Sequence, residues 1–155
     1  MMILTANSKS ASSFSTAGPI NPIHALDLLY TRILSDIPAA TLPVAQRILG
    51  LFIFHNSRDL TAVNLAEFLG LNRASFYSAL QRLHSVLIVP SALRAHDMLI
   101  QMYHASFSDY LKDPARSGEF AVREGSTQLD AAMKGLQWLN YGGKNLSNRL
   151  LPPPT

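Results

Sequence analysis

The chain has 155 residues, 48% of them apolar and 15% charged, with a net charge of +3 and no cysteine. That length fits one domain with a real core, and so modest a positive charge does not by itself argue for nucleic acid or an acidic membrane. The absence of cysteine excludes a disulfide framework, a thiolate metal site and a cysteine nucleophile.

Residues 1–20, "MMILTANSKSASSFSTAGPI", contain five serines and no apolar stretch of signal-peptide length, which predicts a flexible Ser-rich lead-in. The longest apolar run, "ILGLFIF" at 48–54, falls far short of the roughly 20 residues that span a bilayer. A soluble cytoplasmic chain without membrane contact is expected.

Helical periodicity starts at Asn21 and defines a helical segment over residues 21–57. In "HALDLLYTRILSDIP", Leu26, Leu29, Tyr30, Ile33 and Leu34 fall three and four apart, on one helix face, and Pro38 ends the pattern. "TLPVAQRILGLFIFHN" begins a second helix, with Thr41 as its N-cap. This helix is apolar nearly all round, so it is expected to lie between neighbours.

The segment "LTAVNLAEFLGLNRASFYSALQRLHSVLIVP" reads as helix-turn-helix. Thr61 caps a short helix with Leu65, Phe68 and Leu69 inward, and Gly70 supplies a left-handed stop. Asn72 caps a second helix that turns Phe76, Leu80 and Leu83 inward, and Ala66 and Gly70 are small enough for a close crossing. Two β-prone runs follow, "VLIV" at 86–89 and "MLIQMYH" at 98–104, which predict a two-stranded wing. Residues 58–113 thus read as a winged helix.

"SFSDYLKDP" predicts a short helix capped by Ser106 and stopped before Pro114, and "RSGEFAVREGS" a loop or a short extended piece. "STQLDAAMKGLQWLN" predicts a last helix with Leu129, Ala132, Met133, Leu136 and Leu139 on its inner face, so that 114–140 is loop plus C-terminal helix. Residues 141–155, with "GG" and "PPP", read as a disordered tail. The expected fold is mostly α, a helical bundle with a winged helix-turn-helix, a small two-stranded β wing and a C-terminal helix.

Mechanism-bearing motifs are sparse. "YGGKN" lacks the spacing and the Ser or Thr of a phosphate loop. The histidines at 24, 55, 84, 96 and 104 never stand three to five residues apart, so no helical zinc pair exists. Ser, His and Asp in "HASFSD" have no Gly-flanked nucleophile elbow, and no catalytic residues are assigned. For DNA, the second helix would offer Asn72, Arg73, Tyr77 and Gln81 to base edges, with Ser78 beside them and Arg58 or Arg82 for phosphates. Between 58 and 84, however, three arginines stand against Asp59 and Glu67, a formal +1. Most DNA affinity comes from several phosphate contacts, so protein rather than DNA is the expected partner.

Four blocks in order, "LYTRILSDIP", "LAEFLGLNRASFYSALQRLHSVLIV", "HASFSDYLKDPARSGEF" and "GLQWL", resemble the region C-terminal to the ATPase core of fungal NACHT-domain proteins, which are STAND (NLR-like) NTPases. The resemblance covers about residues 21–140, and the Walker motifs of that family's core are missing here. It implies a non-catalytic regulatory part of a signal-transduction switch, partnered by a NACHT ATPase core in cis or in trans. It also implies that the chain alone binds no cofactor and meets ADP or ATP only with that core. "YHASFSDYL" is similar to the stretch in which related proteins carry a histidine that contacts the β-phosphate of ADP. Carried over, that residue is His104, supported by Phe107, Asp109 and Tyr110, with the two rings packed behind it. An imidazole N–H donated to phosphate contributes about 1.5–3 kcal/mol, a bias of roughly 10- to 150-fold between two states. The resemblance further implies that the apolar helix at 42–54 is covered by the absent core.

Overall fold

The structure, a computed structural model, describes residues 21–55 and 61–150, the last ten of these by their backbone alone. The expected lead-in at 1–20, the phosphate candidate Arg58 and tail residues 151–155 lie outside the described residues. Among the described residues there are seven α-helices and one two-stranded antiparallel sheet.

Helix α1 (Pro22–Ser35) starts where the Asn21 side chain accepts the Ile23 N–H at 3.0 Å, next to a proline that has no N–H to satisfy. Tyr30 and Leu34 are buried, whereas Leu26 and Leu29 of the expected inner face remain largely exposed. Helix α2 (Leu42–Phe54) is the centre of the molecule. Ala45, Ile48, Leu49, Gly50 and Leu51 are all buried, against α3 (Ala62–Leu69), α4 (Arg73–Leu80) and α7 (Glu124–Leu150). The expectation that a separate ATPase core covers this helix is therefore corrected: the chain's own helices do so. Thr41 precedes α2 but does not cap it, because its hydroxyl donates to the Pro38 carbonyl instead.

The α3–α4 pair forms as its punctuation requires. Thr61 accepts the Asn64 N–H, Gly70 takes φ 66°, and Asn72 accepts the Ser75 N–H at 2.8 Å. Phe76, Leu80 and Leu83 are buried, although the helix itself ends at Leu80. Strands β1 (Leu87–Ile88) and β2 (Gln101–Met102) pair with Leu87 opposite Met102, and the Tyr103 N–H extends the ladder to the Val86 carbonyl. An isolated bridge from Thr61 to Leu99, with a Val63 N–H to Ala95 carbonyl bond, ties this ribbon to the head of α3.

Helix α5 (Ala105–Lys112) has His104, not Ser106, at its N-cap position. Ser106 lies inside the first turn, and its hydroxyl is paired with that of Tyr30 at 2.8 Å. The expected loop after Pro114 is a short helix, α6 (Pro114–Ser117), and a 3₁₀ turn (Gly118–Phe120) that set Phe120 and Val122 into the core. The last helix runs ten residues beyond its expected end at 140, since α7 continues to Leu150 where a disordered tail was expected. No described helix is long and apolar enough to cross a membrane.

Helix α7 also departs from expectation in its orientation. Thr127, Asp130, Ala131 and Lys134 face the body, and Leu129, Met133, Leu136 and Leu139 face out. Gly50 allows α7 to approach α2 closely: a Cβ there would meet Thr127 Oγ1 and lie 2.9 Å from Val122 Cγ1. Arg47 fixes the register with a forked bond to Asp130 at 2.9 and 3.0 Å, and also points one N–H at the Leu69 carbonyl ending α3.

Candidate functional site

His104 joins β2 to α5. Its residue is exposed, its backbone is extended (φ −137°, ψ 130°), and its side chain makes no capping bond to the helix it precedes. The helix behind it is held firmly. Phe107 and Tyr110 are fully buried and lie 5.1 and 5.4 Å from the Tyr30 ring, centre to centre, in tilted contacts. Thr31 donates its hydroxyl proton to the Asp27 carbonyl, so the Tyr110 O–H must be the donor in the 2.7 Å bond to Thr31 Oγ1.

A forked ion pair closes the same junction. Arg116 donates to both carboxylate oxygens of Asp27, at 2.6 and 3.1 Å, while its guanidinium carbon stands 5.9 Å from the Tyr110 ring centre. The Arg116 hydrogen bond holds the Asp27 carboxyl below the usual carboxylate range, against the opposing pull of burial, and the pair raises Arg116 in turn. Helices α1, α5 and α6 thus form one braced unit that presents His104 at its end. Phe107 and Tyr110 brace the helix from within. Asp109, also expected to support His104, is exposed on α5.

Asp109 lines a cleft of about 560 Å³, together with Phe52 and Ile53 of α2, Met102 of β2, and Ser108 and Lys112 of α5. No local sequence signal marks this cleft, because the end of α2 enters it from some fifty residues upstream. Nothing local to Phe52 marks it as a wall rather than a core residue. His104 does not line it.

Of the four DNA candidates, Arg73 and Tyr77 line one cavity, which Asn72 and Gln81 do not line. Arg73 is exposed at the start of α4 and Gln81 is exposed just past its end. Asn72 spends its side-chain oxygen on the Ser75 N–H. The Tyr77 hydroxyl is buried without a hydrogen-bond partner, its ring edge-on to Phe76, in a cavity of about 340 Å³ that Arg73 and His96 also line. Among the described residues, no three histidine, aspartate or glutamate side chains cluster in a way that could hold a metal ion. Compared with known proteins, the chain matches no family model, no curated protein and no solved structure.

Proposed function

We propose that the chain is a non-catalytic regulatory module of a NACHT/STAND-type signalling switch, acting in the cytoplasm through contact with an ATPase core supplied in cis or in trans. In this reading residues 58–113 are a winged helix that packs on the core, and His104 senses the nucleotide bound there. One observation carries it: His104 stands exposed at the head of an eight-residue helix whose inner side is clamped to α1. Backbone N–H groups at a helix start favour anions, so an imidazole N–H beside them suits a phosphate oxygen. The order α3, turn, α4, β1, β2, with its bridge to Thr61, is what supports the winged helix.

The test supplies a NACHT ATPase core in trans and follows release of bound ADP. His104→Ala is expected to speed release about 10-fold or more, the loss of one charge-assisted bond. The purified chain alone is expected to hydrolyse no ATP. Turnover by the chain alone that is lost in His104→Ala, or unchanged ADP release with the core present, overturns the proposal.

A second reading, a small winged-helix DNA-binding protein, rests on the exposure of Arg73 on α4 and of Gln81 just past its end. It requires sequence-selective binding at physiological salt that Arg73→Ala weakens in a gel shift.

A further inference from the structure

Helix α7 carries its apolar residues on the side that the rest of the chain leaves open. Leu129 is 63% exposed, Leu136 63% and Leu139 74%, and Ala132 is exposed between them. These four residues are spaced three, four and three apart, the a/d spacing of a coiled-coil seam, and with Met133, 51% exposed, they also make the broader stripe that packs a helix on a globular core. That broader packing is already provided for by the opposite face, through Thr127, Asp130, Ala131 and Lys134. In the sequence the same spacing continues through Gly143, Leu146 and Leu150, and the backbone stays helical to Leu150. The helix has 27 residues and is about 40 Å long.

We propose that this seam is a self-association surface, through which two copies of the chain pair their α7 helices as a two-stranded coiled coil. A seven-residue repeat from 129 to 150, with Gly143 at one of its core positions, fits another helix with the same repeat, because such a partner offers holes at matching intervals. The flanks point to a second copy in particular. Pairing with an identical helix brings identical flanks together, and like charges there oppose association. Along the whole repeat the flanking residues Gln128, Met133, Gly135, Asn140, Gly142 and Ser147 are uncharged, and Arg149 near its end is the one charged residue among them. Gly135 also leaves open space where a side chain would stand, which permits a close approach.

The test is the mass of the purified full chain in solution at tens of micromolar, by sedimentation equilibrium. Twice the chain mass is expected. Leu136→Glu and Ala132→Glu both alter residues exposed in the single chain, so each is expected to keep the helical circular dichroism spectrum. Each is also expected to raise the dimer dissociation constant by about 100-fold or more, as a charge enters the seam in both copies. Leu29→Glu, on the exposed face of α1, is expected to leave it unchanged. A single-chain mass, with or without sedimentation on phosphatidylcholine vesicles, overturns the inference, as does a dimer that survives both seam variants or is lost in Leu29→Glu. None of these outcomes bears on ADP release from a core in trans, so the pairing and the His104 reading can fail separately.

Discussion

Replacing Gly50 by alanine tests the contact on which the orientation of α7 depends. Two effects compete. Alanine inside a helix is favoured over glycine by up to about 1 kcal/mol. The added methyl, however, would fall 2.9 Å from Val122 Cγ1 and overlap Thr127, both on backbone pressed against α2. Overpacking of this kind costs about 1–3 kcal/mol where the neighbours cannot withdraw. Withdrawal is hindered here, because Thr127 is hydrogen-bonded to the Arg123 carbonyl and Val122 is pinned by its N–H to the Leu111 carbonyl. The expected net loss is about 1–2 kcal/mol, which lowers the thermal midpoint by roughly 2–8 °C for a chain of this size. Thermal unfolding followed by circular dichroism measures it, and a double-mutant cycle with Thr127→Ala isolates the contact. Removing the Thr127 side-chain atoms should restore part of the loss in the Gly50→Ala background while stabilising nothing in the native one. A higher midpoint for Gly50→Ala, or identical effects of Thr127→Ala in both backgrounds, would refute the close approach of α7 to α2.

Asp27 supplies an acid-sensitive brace. Its folded pKa is depressed by the Arg116 bond, so its contribution to stability is full above the unfolded value of about 3.9 and is lost as pH falls below it. Urea midpoints should therefore drop more steeply between pH 5 and pH 3 in the native chain than in Asp27→Asn. Asn72→Ala should cost about 1 kcal/mol in urea unfolding and Asn72→Asp much less, because the residue acts as the cap of α4; equal losses would mean that the cap bond is irrelevant. Phe107→Ala should cost about 3–5 kcal/mol by the same measurement, since its ring is fully buried against Tyr30.

Local backbone chemistry was the most legible part of the fold. Thr61, Gly70 and Asn72 each do what their residue type favours, because a cap or a left-handed stop is decided within four residues of sequence. The two-stranded ribbon was legible in position but not in length, reduced to two residues in each strand by the turns between 89 and 100. Ser106 was misplaced because a hydroxyl near a helix start has two good uses. Here the long-range one, with Tyr30, won over capping. The ion pairs Arg47–Asp130 and Asp27–Arg116 join residues more than eighty positions apart and carry no local signal. The candidate site divides in the same way: His104 stands out in the sequence only through a resemblance, while the cleft beside Asp109 depends on where the far end of α2 lies.

The reversed face of α7 shows why periodicity finds a stripe without saying what it meets. Burial of Leu129, Leu136 and Leu139 against the body would leave Arg47 facing apolar side chains in place of a carboxylate, and would bring leucines to a site where Gly50 admits only a threonine's reach. An unpaired, half-buried guanidinium is a larger penalty than exposure of a few leucines that a partner can later cover. Pairwise complementarity, Arg47 with Asp130 and Gly50 with Thr127, therefore selects the polar face for the interior. The apolar stripe left over is then a property of the exterior, and its natural reading is as surface for association. Substituting Asp130 by leucine puts this choice to the test. With its carboxylate gone, α7 loses the reason to present this face, and the exposure of Leu136 to solvent labelling should change together with the thermal midpoint.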